Sequence, residues 1–192
     1  MDKYKEIDKY LISQIKGVFS PADMEALEVG LKRLVAGNVY VEVGVQFGRS
    51  MYTAVTLAPN GVKFFAIDKI DHGANPDSLS RKEFFKKSGI EDKVVFINIP
   101  SPEAADGWQP KIDMLFLDGD HSYEGVKADV DAWGKFLKTD GFIFFHDASH
   151  ICPDVKKLLY ELAESDEYDG LVFYRGLIGK ETSIASLHKK GN

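Results

Sequence analysis

The chain of 192 residues is 44% hydrophobic and 28% charged, which suits one soluble domain with a sizeable core, or one domain with a small extension. Its net charge of −6 argues against a nucleic-acid partner, because binders of polyanions carry a basic surface. The single cysteine, Cys152, rules out an intrachain disulfide and argues against a thiolate metal cluster.

The N-terminus, M-D-K-Y-K-E-I-D-K-Y, places charges where a signal peptide needs an apolar stretch. No apolar run approaches the ~20 residues of a membrane helix. The expectation is a cytoplasmic protein without a membrane partner.

Residues 3–18 set Tyr4, Ile7, Leu11, Ile15 and Val18 at steps of three and four, which predicts one apolar helix face. Ser20-Pro21 reads as an N-cap followed by a proline in the first turn. A second amphipathic helix carries Met24, Leu27, Leu31, Leu34 and Val35 and stops at Gly37-Asn38. Residues 1–36 thus make an N-terminal helical cap, which either packs on the sheet or closes over a substrate.

From residue 37 to 192 strands alternate with helices. Predicted strands cover 39–43, 62–67, 94–99, 112–117 and 141–145, with helices over 48–58, 79–88, 101–106, 122–137 and 153–164. Residues 71–78, with Gly73 and Asn75-Pro76, read as a loop. Two last strands, 171–174 and 177–185, are joined by a turn near Arg175-Gly176, too short for a parallel crossover, so that pair is expected to be antiparallel. The fold class is α/β, a largely parallel sheet with helices on both faces.

Chemistry gathers at the strand ends. Strand one runs V-Y-V-E-V into G-V-Q-F-G-R-S, putting Glu42 before a turn through Gly44 and Gly48. Strand two ends in Asp68, strand four in Asp118 and strand five in His146-Asp147. Ligands of open α/β sheets bind outside those ends. The spacing Glu-x-Gly-x-x-x-Gly lacks the third glycine of a dinucleotide fingerprint, and an acid before the turn repels phosphate. Asp68, 24 residues beyond Gly44, stands where ribose hydroxyls are bound. Acid, glycine turn and ribose acid together fit S-adenosylmethionine better than NAD.

The segments V-E-V-G-V-Q-F-G-R-S, F-F-A-I-D, I-D-M-L-F-L-D-G-D-H-S-Y-E-G-V-K-A-D and G-F-I-F-F-H-D resemble those of class I S-adenosylmethionine-dependent methyltransferases. The likeness runs from about residue 37 to 186 and is nearest to the branch of small-molecule O-methyltransferases that includes the macrocin and related sugar enzymes. L-D-G-D-H-S-Y is its most distinctive part.

The resemblance implies a Rossmann-like seven-stranded sheet in the order 3-2-1-4-5-7-6, with strand seven antiparallel. It places Glu42, Gly44, Gln46, Gly48 and Ser50 around the methionine part of the cofactor, Asp68 on the ribose, and the segment 98–101 with Ser101 near the adenine, with Asp118 also at the cofactor. It further implies a divalent cation (Mg, Mn or Fe) held by Asp118, His146 and Asp147, and a general base at Asp120.

A cation at this point lowers the pKa of a substrate hydroxyl, and the oxygen then attacks the sulfonium methyl. His146 stands where related sequences more often carry an acid or amide, and imidazole suits Mn²⁺, Fe²⁺ or Zn²⁺ better than Mg²⁺. Adjacent strand residues point to opposite faces, so His146 and Asp147 share a metal only if the strand has begun to turn; otherwise His146 bonds a neighbouring acid or meets the substrate. His121 is a second candidate base, and Asp120 can instead cap the helix beginning near Ser122.

Trp108 either stacks on adenine or packs in its loop, and the run from Arg81 to Lys87 reads as a solvated helix face. His150 and Cys152 read as structural or incidental. The expected partner is a small hydroxylated substrate, with no nucleic acid; a homo-oligomer is left open. Two other functions compete: an NAD-dependent oxidoreductase, and a non-catalytic nucleotide or S-adenosylmethionine binder, for which an acid cluster would serve no purpose.

Overall fold

The computed structural model describes residues 2–69, 79–175 and 181–191. The expected loop 71–78, Gly176 and residues 177–180 of the last expected strand lie outside them. Two helices come first, α1 (Lys3–Ile12) and α2 (Pro21–Leu31). Strand–helix alternation then gives β1 (Val39–Val43), α3 (Arg49–Leu57), β2 (Lys63–Ile67), α4 (Arg81–Lys87), β3 (Val94–Ile97) and α5 (Ser101–Asp106). The chain goes on through β4 (Ile112–Leu117), α6 (Tyr123–Trp133), β5 (Leu137–Phe145), α7 (Pro153–Glu164), β6 (Tyr168–Arg175) and β7 (Glu181–Lys189).

The seven strands form one sheet in the order β3-β2-β1-β4-β5-β7-β6. β1 to β5 run parallel to one another, and β7 runs antiparallel to both β5 and β6. This is the topology that the resemblance implied.

All five residues of β1 are buried, because helices cover both faces and successive side chains enter opposite cores. On one face Tyr40, Phe116 and Phe144 meet Leu11, Met24, Leu27 and Leu31 of the N-terminal helices. On the other, Val41, Leu115 and Ile143 meet Val126 and Trp133 of α6 and Leu158 of α7. The N-terminal cap therefore shares a core with the sheet. Helix α2 lies so close that a Cβ at Gly30 would stand 2.7 Å from the Phe144 ring.

Several boundaries differ from the sequence expectation. Helix α1 stops at Ile12, and Val18, expected on its apolar face, is 84% exposed in the connection to α2. Val35 lies beyond α2 and is exposed as well. The N-cap of α2 is Ser20, as read from the sequence, and Asp23 completes a capping box with it. Strand β5 begins at Leu137, four residues earlier than the glycine at 141 suggested, because α6 ends at Trp133. Arg81, expected in solvent, is only 2% exposed. No helix among the described residues is long and apolar enough to cross a membrane.

Candidate functional site

Strand order reverses between β1 and β4, and the chain leaves a crevice outside their C-terminal ends. A cavity of about 720 Å³ opens there, a size typical of small-molecule sites. Its floor is the turn after β1. Gly44 has φ 84°, donates its N–H to the Ile67 carbonyl, and lies so close to β4 that a Cβ would stand 2.2 Å from the Asp118 carbonyl oxygen. No residue but glycine fits there. Gly48, at φ 93°, leads into α3, and a Cβ there would strike the Phe85 ring.

The turn is held from the neighbouring strand. Asp68 accepts the Val45 and Gln46 N–H groups on one carboxylate oxygen, at 3.1 and 2.7 Å. The Arg81 guanidinium stands 3.2 Å from the same oxygen and donates to Asn98 Oδ1 and the Gln46 carbonyl. Arg81 is buried because each of these groups needs its charge or its donors. A buried guanidinium is tolerated only when it is paired in this way.

Glu42 sits beneath the turn and is not part of the cavity wall. It is fully buried, and its two oxygens accept from Ser50 Oγ at 2.6 Å and Tyr40 Oη at 2.8 Å. Burial pushes its carboxyl up to about 8, against the pull of those two hydroxyls. The group is thus largely neutral at pH 7, and it organises the turn from below. Ser50 and Gly48 also stand behind the cavity wall, whereas Gly44, Gln46 and Asp68 line it.

A second set of polar groups converges across the cavity. Asp147 has φ 55°, so the chain has already turned where β5 ends. His146 and Asp147 therefore meet: His146 Nδ1 is 3.0 Å from Asp147 Oδ2 and 3.2 Å from Asp118 Oδ1. His121 Nε2 lies 3.1 Å from Asp147 Oδ2 and 3.9 Å from Asp118 Oδ1.

Burial raises the Asp118 carboxyl, and the nearby His146 only partly offsets it. Asp147 is held below the ordinary range by its hydrogen bond from His146. Burial opposes a charge on the His146 ring, yet Asp118 and the bonds to both acids lift it well above its ordinary value. Ligand atoms of Asp118, His146 and Asp147 lie within 4.8 Å of one another, as they must to share an ion. A second group, His121, Asp147 and Cys152, meets the same criterion on a more exposed side of Asp147.

Asp120 lines the cavity, but its Oδ1 accepts the Ser122 N–H at 2.8 Å, where Ser122 caps α6. That bond holds its carboxyl below the ordinary range. Its side chain packs on Gly125, where a Cβ would stand 2.4 Å from its carboxyl carbon.

On the far wall Trp133 Nε1–H donates to Ser101 Oγ, which donates to Asp129 Oδ1 at 2.5 Å. Both Ser101 and Asp129 face the cavity. Trp108 does not: it is buried against Phe65 and Trp133, with its Nε1–H on the Pro110 carbonyl.

Of the twelve residues singled out from the sequence, nine line this one cavity and three support it from behind. Sequence reasoning missed Arg81, Asp129, Asp23 and Ser183. Arg81 had a usable clue, a lone arginine opening a helix whose other cations are all lysines. The others reach the site through partners remote in sequence, and Asp23 shows locally only its cap with Ser20.

A family described as a methyltransferase domain matches residues 41–148 of the chain. A caffeoyl-CoA O-methyltransferase of Populus kitakamiensis is 32% identical over 136 residues, which are 68% of this chain and 55% of that protein. The chain spans about half the length of the curated relatives it matches. Among solved structures, cofactor-bound Rv0187 from MTB superposes with a TM-score of 0.72 at 13% identity, covering 99% of this chain and 89% of that one. The O-methyltransferase from Bacillus cereus in complex with SAH superposes with a TM-score of 0.68 at 12% identity, covering 98% and 91%. At such identities the structural likeness speaks for the fold.

Proposed function

The chain belongs to the methyltransferase domain family, and from that premise we propose that it moves a methyl group from S-adenosylmethionine to a hydroxyl oxygen of a small molecule. The observation that carries this reading is the convergence of two acids and two imidazoles, Asp118, Asp147, His146 and His121, on a cavity whose other side is a glycine turn pinned by Asp68. Cofactor binding falls to Gly44, Gln46, Asp68 and Ser101, with Asp129 beside Ser101. The cavity volume supports a small acceptor alongside the cofactor. The methyl donor is already activated as a sulfonium, so the task left to the protein is to position the acceptor and remove its proton.

His121 suits the role of base. Its Nε2 faces Asp147, which orients the ring and leaves Nδ1 for the substrate hydroxyl, the same division of labour as in a carboxylate–imidazole dyad. Asp120, tied to the α6 cap and acidified by it, is the weaker base. As the acceptor oxygen bonds to the methyl carbon, the carbon–sulfur bond breaks, the electron pair stays on sulfur, and the hydroxyl proton passes to the protein. The donor set of two carboxylates and one imidazole fits Mn²⁺ or Fe²⁺ better than Mg²⁺. An ion held by Asp118, His146 and Asp147 would supply Lewis acidity to the acceptor oxygen.

The test is transfer of label from S-adenosylmethionine to a library of hydroxylated metabolites, with and without divalent metals, beside calorimetry with S-adenosylmethionine and NAD. Label transfer to oxygen is the expected result. Tight NAD binding without response to S-adenosylmethionine would sink the reading. Transfer that survives chelation unchanged would remove the metal.

A further inference from the structure

Helix α2 carries no motif of the family, yet its first turn reaches the centre of the site. Asp23 is only 4% exposed. Its Oδ2 accepts from Ser20 N–H and Oγ–H at 2.9 and 2.7 Å, which completes the capping box. Its Oδ1, which the cap does not need, accepts from Ser183 N–H at 3.1 Å and Ser183 Oγ–H at 3.2 Å, across 160 residues of chain. Ser183 Oγ is in turn 3.0 Å from His146 Nε2. The ring of His146 is fixed sideways by Phe19 of the α1–α2 connection and Phe116 of β4.

Counting hydrogens gives the chain a direction. A carboxylate only accepts, and a serine hydroxyl has one proton to give. With that proton on Asp23, Ser183 Oγ can only accept from the ring, so Nε2 carries a proton, and Nδ1 carries a second one when it donates to Asp147. Nδ1 is then the nitrogen turned to Asp118 and Asp147. An imidazole that serves a site through one nitrogen is commonly fixed by what its other nitrogen donates to.

We infer that Asp23, acting through Ser183, is a positioning residue for His146: the pair holds a proton on Nε2 and keeps Nδ1 facing Asp118 and Asp147. The N-terminal helices thereby complete the reaction centre as well as covering the sheet. The relevance to catalysis rests on the proposed methyl transfer, but the decisive test is spectroscopic and independent of it.

The full chain labelled with ¹⁵N-histidine is compared with Ser183→Ala, Ser183→Thr and Asp23→Asn, with the His146 signals identified by their loss in His146→Gln. The backbone N–H of Ser183 still reaches Asp23, and its carbonyl still accepts from Ala148, so Ser183→Ala leaves α2 and β7 in place. In the wild type Nε2 should show the signature of a protonated nitrogen. Ser183→Ala and Asp23→Asn should both move that signal, and Ser183→Thr should restore it.

In methyl transfer, Ser183→Ala should lower kcat ~10–100-fold with the affinity for S-adenosylmethionine unchanged. A wild-type Nε2 without a proton, or His146 signals indifferent to Ser183→Ala, would overturn the inference. So would a loss of cofactor affinity in place of kcat. If no acceptor is methylated while the ring signals respond as expected, the positioning pair stands and the proposed function falls.

Discussion

The two sides of the cavity use polar residues in opposite ways. Around the turn after β1 the polar atoms are engaged by the fold: Glu42 by Ser50 and Tyr40, and Asp68 by two backbone N–H groups and Arg81. At the ends of β4 and β5 the acids face one another across imidazoles, with His146 serving both Asp118 and Asp147. Carboxylates gathered in this way repel unless a cation or protonated ring lies between them, which raises the free energy of the resting site. One side is a rigid cradle, and the other is a store of electrostatic potential. Substitutions on the first side should act mainly through shape, and on the second mainly through charge.

Gly44→Val attacks shape most directly and should have the largest effect. The added Cβ lands on the Asp118 carbonyl, and φ 84° is strained for a branched residue. β1 and β4 must separate at their ends. Calorimetry should find no binding of S-adenosylmethionine, and thermal denaturation a melting temperature lower by ten degrees or more, on the order of 3 kcal/mol or above. Unchanged affinity would mean that the cofactor does not lie on this turn.

Asp118→Asn and Asp147→Asn test charge. Each should lower methyl transfer by ~100-fold or more, yet leave the melting temperature within a few degrees. Asp118 can even gain stability as an amide, because burial disfavours its charge. If both variants kept full transfer, the reaction centre would lie elsewhere.

Glu42→Gln separates the two sides by pH. The folded-state carboxyl is raised to about 8 from an ordinary 4.5. A raised acid contributes its full stability below the unfolded value and loses it as pH rises through the folded one. The wild type should therefore weaken between about pH 4.5 and 8, by up to about 5 kcal/mol from this group alone. Urea unfolding of Glu42→Gln at several pH values should show this slope flattened, with methyl transfer at pH 7 changed only a fewfold. A slope equal to that of the wild type would mean that Glu42 stays ionised in the fold.

The strands and the acids at their ends were legible because they are local: an apolar run, then an acid, repeated along the chain; the order of the strands in the sheet came from the resemblance alone. That Glu42 is buried could not be read locally, since the residues that enclose it, such as Tyr40 and Ser50, look like ordinary strand and helix positions. Arg81 opens a helix of seven residues with three lysines, and only the fold brings Asp68 and Asn98 to it. Asp23 shows locally only its capping box with Ser20. Its second oxygen meets a strand near the other end of the chain, a contact that carries no periodicity. Val18 failed for the reverse reason: its spacing continued the pattern of α1 after the helix itself had ended.

The smallest expected effect is the one that assigns the base. Asp120 lines the cavity but has its carboxylate on the Ser122 N–H. Asp120→Ala should cost a small fall in melting temperature, from the looser start of α6, and lower kcat/KM by no more than about threefold. His121→Ala keeps the cap and removes the ring that Asp147 orients, and should lower kcat/KM by ~10²-fold or more. The pair of measurements discriminates because the two side chains are neighbours in sequence and line the same cavity, so a general disturbance of the loop would depress both alike. The reverse order, with Asp120→Ala the more damaging and its fold intact, would move the base to Asp120 and leave His121 as a partner of Asp147.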